Sequence, residues 1–93
     1  MEKIRVGNMA LSAGAMDLLG VKILAVQTGR GALVCGYFSL ETAEKFGHAL
    51  AIVRGVASYE DMLNAEVAAV STAAAALGVT VGMNGLAALQ KMY

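Results

Sequence analysis

The sequence has little of what catalytic and binding sites are usually built from. It contains no proline or tryptophan, and only one cysteine and one histidine among 93 residues. A single cysteine excludes an internal disulfide and is typical of a reducing compartment, so we expect a cytoplasmic protein. No long apolar run follows the first charges, a pattern unlike that of a secretory signal peptide.

Charge is also scarce. Charged side chains make up 15% of the residues, against about 25% in an average domain, and the formal charges sum to zero. Such a chain lacks the basic surface by which proteins hold nucleic acids. The low aromatic content, 5%, leaves few rings for bases to stack on. We therefore expect no nucleic-acid partner.

Apolar surface, by contrast, is abundant. Hydrophobic residues make up 58% of the chain, and a chain of this length forms one domain, residues 1–93, with a modest core. Residues 67–90 carry no charge, but glycine, asparagine and many alanines interrupt them, so we predict no membrane segment. Apolar surface that a small core cannot hold predicts a homodimer or a larger homo-oligomer.

The stretch from residue 30 to residue 56 organises the prediction. Residues 32–38 and 49–56 each favour a strand, because both are rich in aliphatic and β-branched side chains. The first strand follows a glycine turn and forms a hairpin with a strand over 22–28. The ten-residue connection from 39 to 48 permits the two central strands to be parallel, and this point stays open.

Two serines mark the starts of helices in this region. Ser39 is a suitable N-cap for a helix over 40–46, and Gly47 is a suitable residue to end it. Ser58 opens a second short helix in the same way, with acidic residues in its first turn.

The flanking sequence completes the expected fold. Residues 2–6 indicate a short strand, and residues 9–18 allow a strand or a helix, of which we favour the strand. Apolar residues recur at helical spacing from 63 to 77, so we predict a helix there, ended by Gly78. Asn84 is a suitable cap for a last helix.

These elements predict an α+β fold. We expect an antiparallel β-meander plus one further strand, three or four strands in all. The helices would pack on one face of the sheet, and the other face would serve self-association.

Several short segments also resemble a known family. They are Arg30-Gly31, Cys35-Gly36-Tyr37, Gly55-Val56, Leu77-Gly78-Val79, Gly82-Met83, Gly85 and Ala88-Leu89. In order and spacing they are similar to the YunC-like family of small prokaryotic proteins, a domain of unknown function, from about residue 22 to the end. The resemblance implies a compact α+β fold and a prokaryotic protein. It implies no reaction, cofactor or catalytic residue.

Candidate catalytic residues are few. Cys35 could be a nucleophile with His48 as its base, since both are expected near strand ends. No cysteine-protease signature surrounds Cys35, and free cysteine is usually a buried core residue, so the structural interpretation is favoured. A lone histidine is a poor start for a metal centre. We predict no metal and no cofactor.

Arg54 gives the sharpest site hypothesis, because it shares a strand face with aliphatic residues and is expected to be partly buried. If the central strands are parallel, their carboxyl ends and the two helix starts meet at one edge of the sheet. Ser39, Arg54, Gly55 and Ser58 would then line a site for a small anion. The alternative is that Arg54 pairs with a carboxylate, and the candidates are Glu41, Glu44, Glu60 and Asp61.

Two functions follow from the sequence, and neither is an established activity. The first is a small cytoplasmic homo-oligomeric binding or scaffolding module. The alternative is an enzyme or small-anion-binding protein with a site near Cys35, Tyr37, His48 and Arg54.

Overall fold

Six strands lie side by side in the same order as they occur along the chain. The computed structural model describes all 93 residues. In chain order the elements are β1 (Glu2–Val6), β2 (Met9–Leu18), β3 (Val21–Gln27), β4 (Gly31–Cys35), α1 (Leu40–Phe46), β5 (Ala49–Val53), α2 (Tyr59–Asn64), β6 (Val67–Val70), α3 (Thr72–Ala76) and α4 (Gly85–Met92). Neighbouring strands are antiparallel except β4 and β5, which are parallel. The predicted α+β class is confirmed.

Helix α1 makes the parallel pairing possible, because it carries the chain back along the sheet between β4 and β5. The Ser39 hydroxyl accepts a hydrogen bond from the backbone N–H of Thr42 at 3.1 Å. Gly47 ends the helix in a left-handed conformation with φ of 69°, which glycine adopts without strain. Both predicted ends of this helix are confirmed.

The inner face of the sheet, which we define by Leu11, Leu24, Leu33 and Ala51, carries the main core. Helices α2, α3 and α4 pack against it and contribute the fully buried side chains Met62, Ala74 and Leu89. Three of the four helices therefore cover the face predicted to hold them.

The outer face is covered only in part. Ala43 of α1 packs there with Val34, Leu50 and Ile52, which form a second, smaller apolar cluster over β4 and β5. Over β2 and β3 no helix packs on this face, and Met16 is 55% exposed. The face predicted for self-association is therefore open over β2 and β3, and α1 covers it over β4 and β5.

The predicted long helix from 63 to 77 is wrong. Helix α2 ends at Asn64, Ala65 is extended, and residues 67–70 form β6 beside β5 before α3 begins. The helical spacing of small apolar residues was overridden by sheet pairing, because β5 is buried along its whole length and needs a partner strand on its second edge. The sheet therefore has six strands rather than three or four.

The two central strands are also shorter than predicted. β4 ends at Cys35, where a turn brings the N–H of Phe38 to the Cys35 carbonyl at 3.3 Å. β5 ends at Val53, shortly before Gly55 takes a φ of 71°. The residues predicted to close these strands, 36–38 and 54–56, lie in loops.

Strands β2 and β3 continue beyond the rest of the sheet as a two-stranded arm, residues 15–24. β3 pairs with β4 only over residues 25–27, whereas its pairing with β2 extends to Val21. β1 pairs with β2 only as far as Ala13, so both edges of the arm lack a neighbouring strand. Leu19, at the tip, is 92% exposed.

A buried hydroxyl connects the start of α3 to the start of β5. Ser71 is fully buried, and its Oγ accepts hydrogen bonds from the N–H of Leu50 at 2.9 Å and of Ala74 at 3.2 Å. The same hydroxyl donates to the carbonyl of His48 at 2.7 Å. Ser71 thereby caps α3 and fixes the start of β5.

We predict that Ser71→Ala lowers the free energy of unfolding by about 2–3 kcal/mol, since it leaves buried polar groups unpaired. Ser39→Ala is the matched control. It removes an exposed cap and should cost about 1 kcal/mol. Urea unfolding of both variants measures the two losses, and equal losses would contradict the role assigned to Ser71.

Candidate functional site

The structure separates the four residues predicted to share an enzymatic site. Tyr37 and His48 line one cavity of about 320 Å³ beside α1, together with Ser39. Cys35 and Arg54 do not line it. The predicted cluster is therefore only half assembled.

Cys35 lies in the core. It is the last residue of β4 and is 6% exposed, within the main apolar cluster on the inner face. Its sulfur accepts a hydrogen bond from the N–H of Leu24 at 3.4 Å, at the point where the β3–β4 ladder ends. The predicted structural role fits this position, although Cys35 closes the strand rather than lying in its middle.

The Cys35–His48 dyad is excluded by register. Gly31 pairs with Ala49 and Cys35 with Val53, so the two residues lie at opposite ends of a parallel pair. Five residues along a strand separate them by about 16 Å. The expectation that they could meet is wrong, because both strands run in the same direction and one residue ends a strand while the other precedes one.

His48 packs instead against α1. Its ring stacks on that of Phe46, with centroids 5.6 Å apart. It also borders a second, more polar cavity of about 390 Å³, formed with the β3–β4 turn around Arg30.

Arg54 is exposed, so the prediction of partial burial is wrong; β5 ends one residue earlier. The side chain lies over Gly36, and a Cβ placed on that glycine would be 3.0 Å from a guanidinium nitrogen. The one ion pair in the structure joins Lys22 to Asp17 at 2.9 Å. The alternative pairing of Arg54 with a carboxylate of its own chain is therefore not formed.

Two of the carboxylates named for that pairing have other partners. Glu44 accepts hydrogen bonds from the hydroxyl of Thr72 at 2.7 Å and from its N–H at 3.0 Å, and these bonds hold the pKa of Glu44 below its ordinary value. Asp61 accepts from the N–H of Ala57 at 2.9 Å.

The four residues predicted for an anion site lie in the two segments that follow β4 and β5. Ser39 and Gly55 follow the adjacent carboxyl ends of β4 and β5. Both serine hydroxyls accept from helix N–H groups, Ser39 from Thr42 and Ser58 from Asp61 at 3.1 Å. Each hydroxyl keeps its own proton for donation.

The largest cavity, about 530 Å³, lies where β1 and the arm meet the loop after β4 and the start of α2. Its lining residues are Met1, Glu2, Ala13, Gly14, Ala15, Met16, Ile23, Ala25, Phe38 and Tyr59. Sequence reasoning missed this site, because its residues come from five separated segments and carry no motif. The one available signal was the apolar alternation of residues 9–18.

A polar pair lies among these apolar residues. The hydroxyl of Tyr59 donates to a carboxylate oxygen of Glu2 at 3.3 Å. Burial, and then the negative charge of Glu2, raise the pKa of Tyr59 above the ordinary value for a phenol. The phenol therefore stays protonated and remains a donor.

Two other kinds of site find no support in the geometry. No three histidine, cysteine, aspartate or glutamate side chains lie close enough together to hold a metal ion. None of the helices combines the length and the hydropathy that crossing a bilayer requires.

The fold and the cavities define a small α+β protein with no recognisable catalytic centre. Residues 34–92 match the family described as a domain of unknown function, DUF1805. The chain therefore belongs to the DUF1805 family.

A solved structure is similar over nearly the whole chain. It is a protein of unknown function, TA1206, from Thermoplasma acidophilum, with a TM-score of 0.93 and 28% sequence identity. The match covers 99% of this chain and 90% of that one. The comparison with curated proteins gave no match.

We predict that Cys35→Ala lowers the free energy of unfolding by about 1–2 kcal/mol, as truncation of a small core side chain does. Cys35→Asp should cost far more, because it places a charge in the apolar core. Urea unfolding checks both variants. An unchanged unfolding midpoint for Cys35→Asp would show that the core role is incorrect.

Proposed function

We propose that the chain is a single-domain, homo-oligomeric binding or scaffolding module. The observation that carries this proposal is the arm, residues 15–24, which projects beyond its neighbouring strands with apolar side chains exposed. Copies of the chain would associate by covering the tip of the arm, around Leu19 and Val21.

Two properties of the arm are unfavourable in a single chain and would be removed by a partner that covers it. An isolated two-stranded hairpin is only marginally stable in water, and strand edges without a partner leave backbone groups available for pairing. Near the tip of the arm, Leu19 and Val21 are 92% and 48% exposed. A second copy would bury these side chains on both arms at once, as a two-fold interface does.

We also propose that the module is a cytoplasmic protein of a prokaryote. The lone reduced cysteine fits a cytoplasmic protein, and the similarity to a Thermoplasma protein supports a prokaryotic one. Membership of a family of unknown function supports the narrower resemblance to YunC-like proteins. The module would act without nucleic acid, membrane or cofactor.

We expect light scattering to give the mass of a dimer or a larger oligomer at micromolar concentration, against 9.5 kDa for one chain. The double variant Leu19→Lys, Val21→Lys should shift the mass toward that of one chain, because it places two charges on the arm. Val81→Lys is the matched control. Val81 is 63% exposed in the loop after α3, and its substitution should leave the mass unchanged.

A single-chain mass for the wild type across a dilution series would overturn self-association. An oligomer that the double variant leaves intact would show that copies associate, but through another surface.

A second candidate function is binding of a small anion by Arg54, with Ser39, Gly55 and Ser58. The observation that favours it is an exposed guanidinium with no carboxylate partner in the chain. The two serine hydroxyls, which cap α1 and α2, lie in the segments that follow the same two strands. Arginine with hydroxyl donors is a common way to hold phosphate or carboxylate. Tyr37 and His48, in the neighbouring cavity, are secondary candidates for the same ligand.

Thermal unfolding with phosphate, sulfate and citrate at constant ionic strength tests this candidate. The anions should raise the melting temperature of the wild type and of Arg5→Met, a control that removes an exposed arginine from β1. They should fail to stabilise Arg54→Met. Stabilisation that is absent from the wild type, or equal in Arg54→Met, would rule out the site.

A further inference from the structure

The largest cavity has the size and lining of a small-molecule site. Its volume of about 530 Å³ lies within the range of roughly 300–1,000 Å³ typical of such sites. Eight of its ten lining residues are hydrophobic. Small residues such as Gly14 and Ala25 allow close approach to the strands, and larger ones such as Met16, Ile23 and Phe38 form the walls.

One end of the cavity is polar and carries negative charge. Tyr59 engages one carboxylate oxygen of Glu2, which leaves the second oxygen able to accept another hydrogen bond. Lys22 acts electrostatically on Tyr59, but its ammonium is paired with Asp17 at 2.9 Å. Asp17 therefore offsets the charge of Lys22, and no cationic side chain lines the cavity.

The apolar part suits a compact hydrocarbon or aromatic body. The thioethers of Met1 and Met16 are flexible and polarisable, so they adapt to ligands of different shape. The rings of Phe38 and Tyr59 offer faces to which a cation is attracted. An anionic ligand would meet the Glu2 carboxylate, and no lysine, arginine or histidine side chain lines the cavity to offset that charge.

We propose that this cavity binds a small amphiphilic amine, with its apolar body between Met16, Ile23 and Phe38 and its ammonium group on the free carboxylate oxygen of Glu2. The site goes beyond the proposed self-association and is complete in one chain, since all ten lining residues belong to it. Leu19 and Val21 do not line the cavity, so the arm variant separates ligand binding from self-association.

Three probes that share a phenyl ring test the charge preference. They are phenethylamine, 2-phenylethanol and phenylacetate, titrated into the full chain while backbone amide chemical shifts are recorded. The amine should bind about tenfold more tightly than the alcohol, because it forms a charge-assisted hydrogen bond in a partly apolar site. Phenylacetate should bind least, and the largest shift changes should fall on the lining residues.

Glu2→Gln should abolish the preference for the amine over the alcohol while leaving alcohol binding unchanged. Glu66→Gln, an exposed carboxylate outside the cavity, is the matched control and should keep the preference. Ala15→Phe should fill the cavity and weaken all three probes, which shows that binding occurs there.

The proposal is overturned if none of the probes binds, if the alcohol or the acid binds as tightly as the amine, or if Glu2→Gln keeps the preference. Amine binding by a wild type that light scattering shows to be monomeric would support the site and refute self-association. An oligomer that does not bind the amine would support self-association and refute the site.

Discussion

The pairing of β4 with β5 is the constraint on which the rest of the structure depends. These strands are the only parallel neighbours in the sheet, and all five residues of β5 are buried. A strand buried on both faces needs cover on each side and a partner on each edge. Helix α1 covers the outer side, α3 and α4 cover the inner side, and β6 fills the second edge.

Local chemistry made the parts near this pair predictable. Ser39, Gly47, Ser58 and Asn84 cap or end helices through bonds to their immediate neighbours, so a short stretch of sequence determines them. The alternation of residues 9–18 likewise identified β2. Strand β6 could not be found in this way. Its residues carry a helical spacing, and what makes them a strand is the open edge of β5, which the local sequence does not contain.

The candidate sites also depend on contacts between distant segments, which the local sequence does not contain. The sequence placed Ser39, Arg54, Gly55 and Ser58 at one edge, because the direction of the strands decides that edge. It misjudged the burial of Arg54 by extending β5 beyond Val53, a boundary that the turn at Gly55 imposes. It allowed Cys35 to meet His48, since the direction of the two strands was left open, although it favoured a structural role for the cysteine. The cavity around Glu2 and Tyr59 joins residues 57 positions apart, and no spacing rule connects them.

The strand order has a consequence for how the protein is made. Because each strand lies beside the one before it, the sheet can grow in the direction of synthesis, and most pairings join nearby segments of chain. Two hydrogen bonds instead join distant segments of the chain. The hydroxyl of Tyr59 donates to Glu2, and the N–H of Ala10 donates to the hydroxyl of Tyr93 at 3.1 Å. They tie β1 and β2 to α2 and to Tyr93, which are synthesised later, so this early-made edge of the sheet is secured only after α4 has been made.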